Sequence, residues 1–234
     1  MKAKNIELVS VEYLRNLLSS EQFIQTNIRA GKRTARTGHE TAYRIFKPLG
    51  KDTARFTKIF EGNSFSTEGI ADEIEKYHEA MVFSSNICPL VSAHFHPNFQ
   101  LIPSPQDLFN ACASKRTAGI TYGYHLDPIN IIGRAHERVD LLVYQQKTPE
   151  IPEELGTQLM EDLYDYNFNN EYNEKSDDYP YKVAEKMRES GLYNTAIVRI
   201  DDSGKAILDL KEIESFSFKA EKHPEYLEEI HFSL

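Results

Sequence analysis

The segment ICPLVSAHFH, residues 87–96, constrains the fold of this chain more than any other stretch. It is an apolar run that ends in two histidines and is followed by prolines, a pattern that predicts a buried core strand. The prolines then force an irregular connection. Ser104 is placed to cap the next helix, with Pro105 at its first position and an expected end near Ser114.

The two histidines at the end of this strand are spaced for joint binding. Residues two apart on a strand point to the same face, so His94 and His96 can reach one metal ion. Asp107 lies in the first turn of the predicted helix, and the proline-rich loop can return it to the same place. Two imidazoles and one carboxylate leave an open fourth position, as a catalytic zinc requires. The conjunction of these residues predicts a zinc site.

This arrangement resembles the signature of the JAB/JAMM (MPN-type) zinc metalloprotease family. The matching part covers residues 94–107 and reads His-x-His, seven residues beginning with proline, then Ser-x-x-Asp. The resemblance implies that His94, His96 and Asp107 bind Zn²⁺ and that Ser104 donates a hydrogen bond to the tetrahedral intermediate. It also implies an α/β (α+β) fold similar to that of cytidine deaminases, in which helices flank a mixed β-sheet.

The family's chemistry also implies a glutamate upstream of the histidines that acts as general base. Glu40 is the predicted base because it follows a first helix and directly precedes the strand-like TAYRIF, where the family places this residue. Glu61, at the end of a second strand-like run, is the alternative. TAYRIFK stands where the family often has small, glycine-rich residues.

Periodicity and turn residues predict the remaining elements. Helices are expected over about residues 9–30, with a break near Ser19, and over about 67–82. The polar stretch GKRTARTGH, residues 31–39, predicts a loop. Strands are expected at residues 41–46, 55–60, 117–125, 138–146, 195–200 and 206–213.

These elements divide the chain into three parts. Residues 1–147 are expected to form the JAB/MPN-like catalytic core. Residues 148–194 are acidic, tyrosine-rich and helix-prone at both ends, which indicates a helical insertion that either shapes substrate access or forms a solubilising lobe. Residues 195–234 contain a β-hairpin, expected to complete the core, and a tail.

Composition restricts the partners of the chain. A formal net charge of -9 and a pI near 5.4 argue against nucleic acid as a partner. No segment approaches the roughly 20 apolar residues of a membrane span, so no membrane partner and a cytoplasmic location are expected. Cys88 and Cys112 lack the spacing of a disulfide framework or a cysteine zinc site and are expected to be reduced and buried.

The predicted function is zinc-dependent hydrolysis of a peptide or isopeptide bond at the C-terminal tail of a ubiquitin-like protein or its conjugate, as in deubiquitinase-like enzymes. A RadC-like protein of unsettled chemistry and an inactive MPN-type scaffold are the alternatives within the resemblance. An iron oxygenase is an alternative from a different enzyme class, because two histidines and a carboxylate also bind iron. The cupin-like pattern of such a site expects a glutamate shortly after His-x-His, whereas this sequence has Gln100 and Leu101 at those positions.

Overall fold

The computed structural model shows a mixed α/β fold in which helices cover a mixed β-sheet, as the sequence predicts. The residues that it describes are 6–7, 10–48, 51–63, 87–97, 100–108, 124–125, 129–135, 138–147, 151, 153–168, 176–208, 210–214, 216 and 219–222. Among these residues, no helix is both long enough and apolar enough to span a bilayer. The predicted helix at 67–82 and both cysteine side chains lie outside the described part.

The strands that the structure describes form two sheets. The main, eight-stranded sheet contains β2 (Thr41–Pro48), β3 (Arg55–Phe56), β4 (Phe60–Glu61), β5 (Ile87–Phe95), β7 (Ile129–Ala135), β8 (Val139–Gln146), β9 (Tyr193–Ile200) and β10 (Ala206–Leu208). Its order is β10-β9-β8-β7-β5-β2-β3, and β4 also pairs with β2. Strands β5 and β7 run parallel, and the other pairs are antiparallel. A smaller sheet joins β1 (Ile6–Glu7), β11 (Lys219–Lys222) and β6 (Tyr124–His125).

Helices cover both faces of the main sheet. They are α1 (Val11–Leu18), α2 (Glu21–Thr37), α3 (Glu153–Phe168), α4 (Tyr179–Glu189) and the short α5 (Leu210–Ile213). Ser10 and Ser20 cap α1 and α2 through their side chains, and the expected break near Ser19 is confirmed. Helices α1 and α2 pack on one face, and α3 and α4 on the other, so the sheet separates two apolar clusters.

The loop predicted for residues 31–39 is wrong, because α2 continues to Thr37. The buried side of the helix extends through Gly31 and Thr34, while the basic side chains of this stretch lie toward solvent, so helical periodicity persists in a polar sequence. A Cβ atom at Gly31 would lie 2.6 Å from the Cβ of Ala135, so this close approach of α2 to β7 requires glycine. Gly38 ends the helix in the left-handed conformation.

The strand predictions are partly confirmed. The runs at 41–46, 138–146 and 195–200 are strands, and the predicted turn leads from β9 into β10. The single strand predicted over 55–60 is wrong, since it is two short strands, β3 and β4, and the run at 206–213 becomes α5 after β10. Strand β7, INIIGRA, is missing from the predictions because burial on both faces leaves it without an alternating pattern.

Two helices from residues 148–194 form part of the core. Leu159 and Leu163 of α3 and Val183 and Met187 of α4 are fully or almost fully buried against the main sheet. Their partners on the sheet include Leu142 and Ile197. This helical layer covers the face of the sheet toward which the histidines of β5 point.

Candidate metal centre

The register of β5 determines where its histidines point. His94 pairs with Ala42 on β2 and Ile132 on β7, and Ile132 belongs to the apolar cluster under α3 and α4. Paired residues of adjacent strands point to the same face, so His94 lies on this face, and His96, two residues on, follows it. The Nε2 atoms of the two rings are 2.9 Å apart. The predicted pair of histidines on one face is therefore formed.

Asp107 is held in place by a reciprocal set of hydrogen bonds at the start of a helix, over residues 105–108. Its backbone N–H donates to Ser104 Oγ at 3.1 Å. Its Oδ2 atom accepts from Ser104 N at 2.7 Å and from Ser104 Oγ at 2.8 Å. This is a capping box with aspartate in place of the usual glutamate, and it leaves Oδ1 free to face another group. The hydroxyl of Ser104 is occupied with Asp107, so its role toward a reaction intermediate stays a prediction.

Three donor atoms converge between β5 and this helix. Asp107 Oδ1 lies 3.3 Å from His94 Nε2, and Asp107 Oδ2 lies 3.7 Å from His96 Nε2. A tetrahedral zinc ion with bonds of about 2.0–2.1 Å holds its donor atoms about 3.3 Å apart. The three pairs of ligands are 2.9, 3.3 and 3.7 Å apart, the last two measured to different oxygens of Asp107, and each side chain is less than a fifth exposed. The residues therefore fit a small, tetrahedral metal ion.

A second hydrogen bond prepares His96 to bind a metal. The Nδ1 atom of His96 lies 3.1 Å from the backbone oxygen of Gln100. A carbonyl oxygen only accepts, so Nδ1 carries the hydrogen, and Nε2 of the neutral ring has its lone pair toward Asp107 and His94. Outer hydrogen bonds of this kind fix the orientation of metal-bound histidines. Gln100 is thus a positioning residue that sequence reasoning did not assign.

Electrostatic coupling joins the members of the cluster. Burial by itself lowers the pKa of His94, but the carboxylate of Asp107 outweighs burial and raises it, with a smaller contribution from Glu40. Burial raises the pKa of Asp107, yet His94 and His96 bring it far below the usual range. The cluster therefore keeps Asp107 ionised beside the two imidazoles.

Glu40 lies beside this cluster. It directly precedes β2, and the register places it across from His96, next to the pair of Ala42 and His94. Its backbone exchanges hydrogen bonds with residues 62 and 63, which hold the start of β2 in place. Among the described residues, no ion pair or hydrogen bond occupies its carboxylate. Glu40 thus lies on the face of the histidines, near His94, and its role as base stays a prediction.

Glu61 occupies the opposite face of the sheet. It pairs with Thr41, whose hydroxyl bonds to Thr34 on α2, so both residues point toward α2. Its carboxylate binds Arg33 at 2.5 Å and His39 Nδ1 at 3.0 Å. The hydrogen bond from Arg33, followed by that from His39, lowers the pKa of Glu61. A carboxylate with these partners on this face is poorly placed to act at the cluster.

A buried charge network adjoins the site and is absent from the sequence-based predictions. Asp140 accepts hydrogen bonds from Arg134 at 2.8 Å and from Arg199 at 2.8 Å. Phe95 pairs with Gly133, so the same register places the next residues, His96 and Arg134, beside each other. Arg199 also donates to the backbone oxygen of Asp177, just before α4. The network therefore links the edge of the site to the helical layer.

The sequence matches no protein-family model and no protein in a search of curated sequences.

Proposed function

We propose that this protein is a zinc-dependent hydrolase of peptide or isopeptide bonds, of the JAB/JAMM type. The observation that carries the proposal is the convergence of His94 Nε2, His96 Nε2 and the carboxylate of Asp107 at distances that suit one zinc ion. These three residues would hold the metal. A mixed sheet flanked by helices supports a JAB/MPN-like fold without distinguishing it from other folds of the same class.

The residues around the metal ligands supply the remaining chemistry. When bound, zinc supplies Lewis acidity, which polarises a carbonyl group and lowers the pKa of a water molecule. The carboxylate of Glu40, near His94, accepts a proton from water and passes it to the leaving amine. Ser104 keeps the carboxylate of Asp107 in place through two hydrogen bonds. The backbone oxygen of Gln100 holds the ring of His96 by accepting one hydrogen bond from Nδ1.

The proposed substrate is the C-terminal tail of a ubiquitin-like protein or its conjugate. This part rests on the resemblance of residues 94–107 to the family. An extended tail would dock by adding a strand to a sheet edge. An inactive scaffold is less well supported, because the metal ligands of such a scaffold need not converge and here they do.

The first test is the metal content of the purified protein, measured by elemental analysis. We expect about one zinc per chain, since three protein ligands and an open position make a catalytic zinc site. The His94→Ala, His96→Ala double variant should contain none. His39→Ala is the matched control, because His39 binds Glu61 on the opposite face and should leave the zinc content unchanged.

Each outcome of this test is informative. Absence of zinc from the wild-type protein, even after incubation with zinc, would overturn the proposal. Iron in place of zinc would favour the oxygenase class, which uses the same ligand types. Loss of zinc from His39→Ala and its retention by the double variant would show that the metal is bound elsewhere.

The second test separates Glu40 from Glu61 as the base. Glu40→Gln should retain zinc and lose about 10²–10⁴-fold in hydrolytic rate, because the amide cannot accept the proton. Glu61→Gln should keep both properties, since Glu61 lies on the other face. The measurement is cleavage of a panel of ubiquitin-like proteins joined to lysine through an isopeptide bond. Unchanged cleavage by Glu40→Gln would exclude Glu40 as base.

A further inference from the structure

A row of polar side chains lies next to the metal ligands on the same face of the sheet. Arg44 pairs with Ser92, and Ser92 pairs with Asn130, directly beside the row that contains Ala42 and His94. Because paired residues share a face, all three polar side chains point to the side of the candidate metal centre. This row belongs to neither the ligand set nor the apolar core.

Arg44 is the charged member of this row, and Tyr144 is the group among the described residues that acts electrostatically on it. It is partly buried, and burial lowers its pKa to about 10. Among the described residues, no carboxylate or other acceptor lies within ion-pair or hydrogen-bond distance of its guanidinium. By contrast, Arg134 on the same face is bound to Asp140. A partly buried cation without a partner is costly, so proteins pair such groups or use them to bind ligands.

The neighbours of Arg44 are neutral groups that can make hydrogen bonds. Within the described part of the chain, neither the hydroxyl of Ser92 nor the amide of Asn130 is engaged by another residue. The strand register places this row directly beside the pair of Ala42 and His94, on the face of the metal ligands. The row thus combines one cation and two neutral hydrogen-bonding groups beside the centre.

We propose that Arg44, with Ser92 and Asn130, forms an oxyanion-binding subsite that anchors a carboxylate or phosphate group of the substrate next to His94, His96 and Asp107. The planar guanidinium presents paired N–H donors that match two oxygens of such a group. The hydroxyl and the amide supply further donors. The assignment of the anion to a substrate rests on the proposed hydrolase function, whereas anion binding itself depends only on this row.

The test measures binding of sodium acetate and sodium phosphate to the full-length protein by calorimetry and by the shift in Tm. Arg44→Met removes the charge and keeps the length of the side chain. We expect it to weaken anion binding by about tenfold or more, because a charge-assisted, paired contact is lost. Arg36→Met, on the exposed side of α2, is the control and should bind both anions as the wild type does. The anion that binds more tightly identifies the chemical class.

A zinc ion also attracts anions, so the same titrations are made on the His94→Ala, His96→Ala variant. Anion binding that persists in this double variant and is lost when Arg44→Met is added supports the subsite, even if no zinc is found in the wild type. If the wild type contains zinc but Arg44→Met binds the anions as tightly as the wild type does, the proposed subsite is overturned. The hydrolase proposal is unaffected by that result.

Stability in the absence of anions distinguishes binding from a structural role. We expect the Tm of Arg44→Met to equal or exceed that of the wild type, because the substitution removes an uncompensated charge. A Tm several degrees lower would show that Arg44 stabilises the fold and would overturn the proposal.

Discussion

The same strands form both faces of the main sheet, but the two faces differ in the side chains that they present. On β5, Val91, Ala93 and Phe95 point to α1 and α2, whereas Ser92 and His94 alternate with them and point to the opposite side. The first face is a continuous apolar cluster in which polar side chains pair with one another, although the buried hydroxyl of Tyr13 has no hydrogen-bond partner among the described residues. For example, the hydroxyl of Tyr43 donates to Asn27 at 2.9 Å.

The face under α3 and α4 is mixed in character. Beside its apolar cluster lie the metal ligands, the row with Arg44, and the network around Asp140. Charged groups in partly buried positions reduce stability unless they are paired or bind a ligand. The comparison teaches that both faces contribute apolar clusters to stability, whereas the face under α3 and α4 also holds the candidate reactive groups.

The largest effect on stability is expected from Phe95→Ala, on the α1 and α2 face. Phe95 is fully buried, and its ring lies against Gly31 and Gly133. The cavity left by the ring should lower the free energy of unfolding by about 3–5 kcal/mol. The measurement is urea unfolding in the presence of a chelator. Zinc per folded chain should be unchanged, because the ring points away from the site.

The neighbouring variant His94→Ala should show the opposite pattern, with zinc lost and the metal-free stability reduced by only about 1 kcal/mol. If Phe95→Ala and His94→Ala cost equal stability in the chelator, the proposed division between the faces is incorrect.

A somewhat smaller effect is expected from Asp140→Asn, on the mixed face. The substitution leaves Arg134 buried without its charged partner, so unfolding free energy should fall by about 3 kcal/mol. Asp177→Asn is the control, because this exposed residue pairs with Arg138 at the surface and should matter much less. Both are measured by urea unfolding. Equal losses in the two variants would contradict a stabilising role for the buried network.

The smallest effect on stability is expected from Ser104→Ala, which removes a helix cap worth about 1 kcal/mol. Because Ser104 also holds Asp107, zinc affinity should fall about 10–100-fold in a competition with a chelating dye. Ser20→Ala removes the comparable cap of α2 and should cost similar stability with no change in zinc affinity. A zinc affinity equal to that of the wild type in Ser104→Ala would show that the cap does not position the ligand.

Local sequence patterns were sufficient where each element depends on nearby residues. The spacing of His94 and His96 on a predicted strand places both rings on one face in any fold that contains that strand. The cap formed by Ser104 and Asp107 closes within four residues and is likewise independent of the rest of the chain. The strands at 41–46, 138–146 and 195–200 follow from short apolar runs for the same reason.

Patterns failed where packing overrides local preference. The polar stretch 31–37 is helical because Gly31 and Thr34 meet the sheet, a contact that composition does not reveal. Strand β7 is buried on both faces, so its sequence lacks the alternation of apolar and polar residues that predicts a strand. Such features depend on partners far away along the chain.

The sequence by itself therefore determined the residue types of the candidate centre and the local geometry of its two halves. Only the tertiary structure brought Asp107 to the histidines, placed Glu40 on their face and Glu61 on the other, and set Arg44 beside them. The reason is that strand register, which decides the face of every side chain, is a property of paired strands and cannot be read from one strand alone.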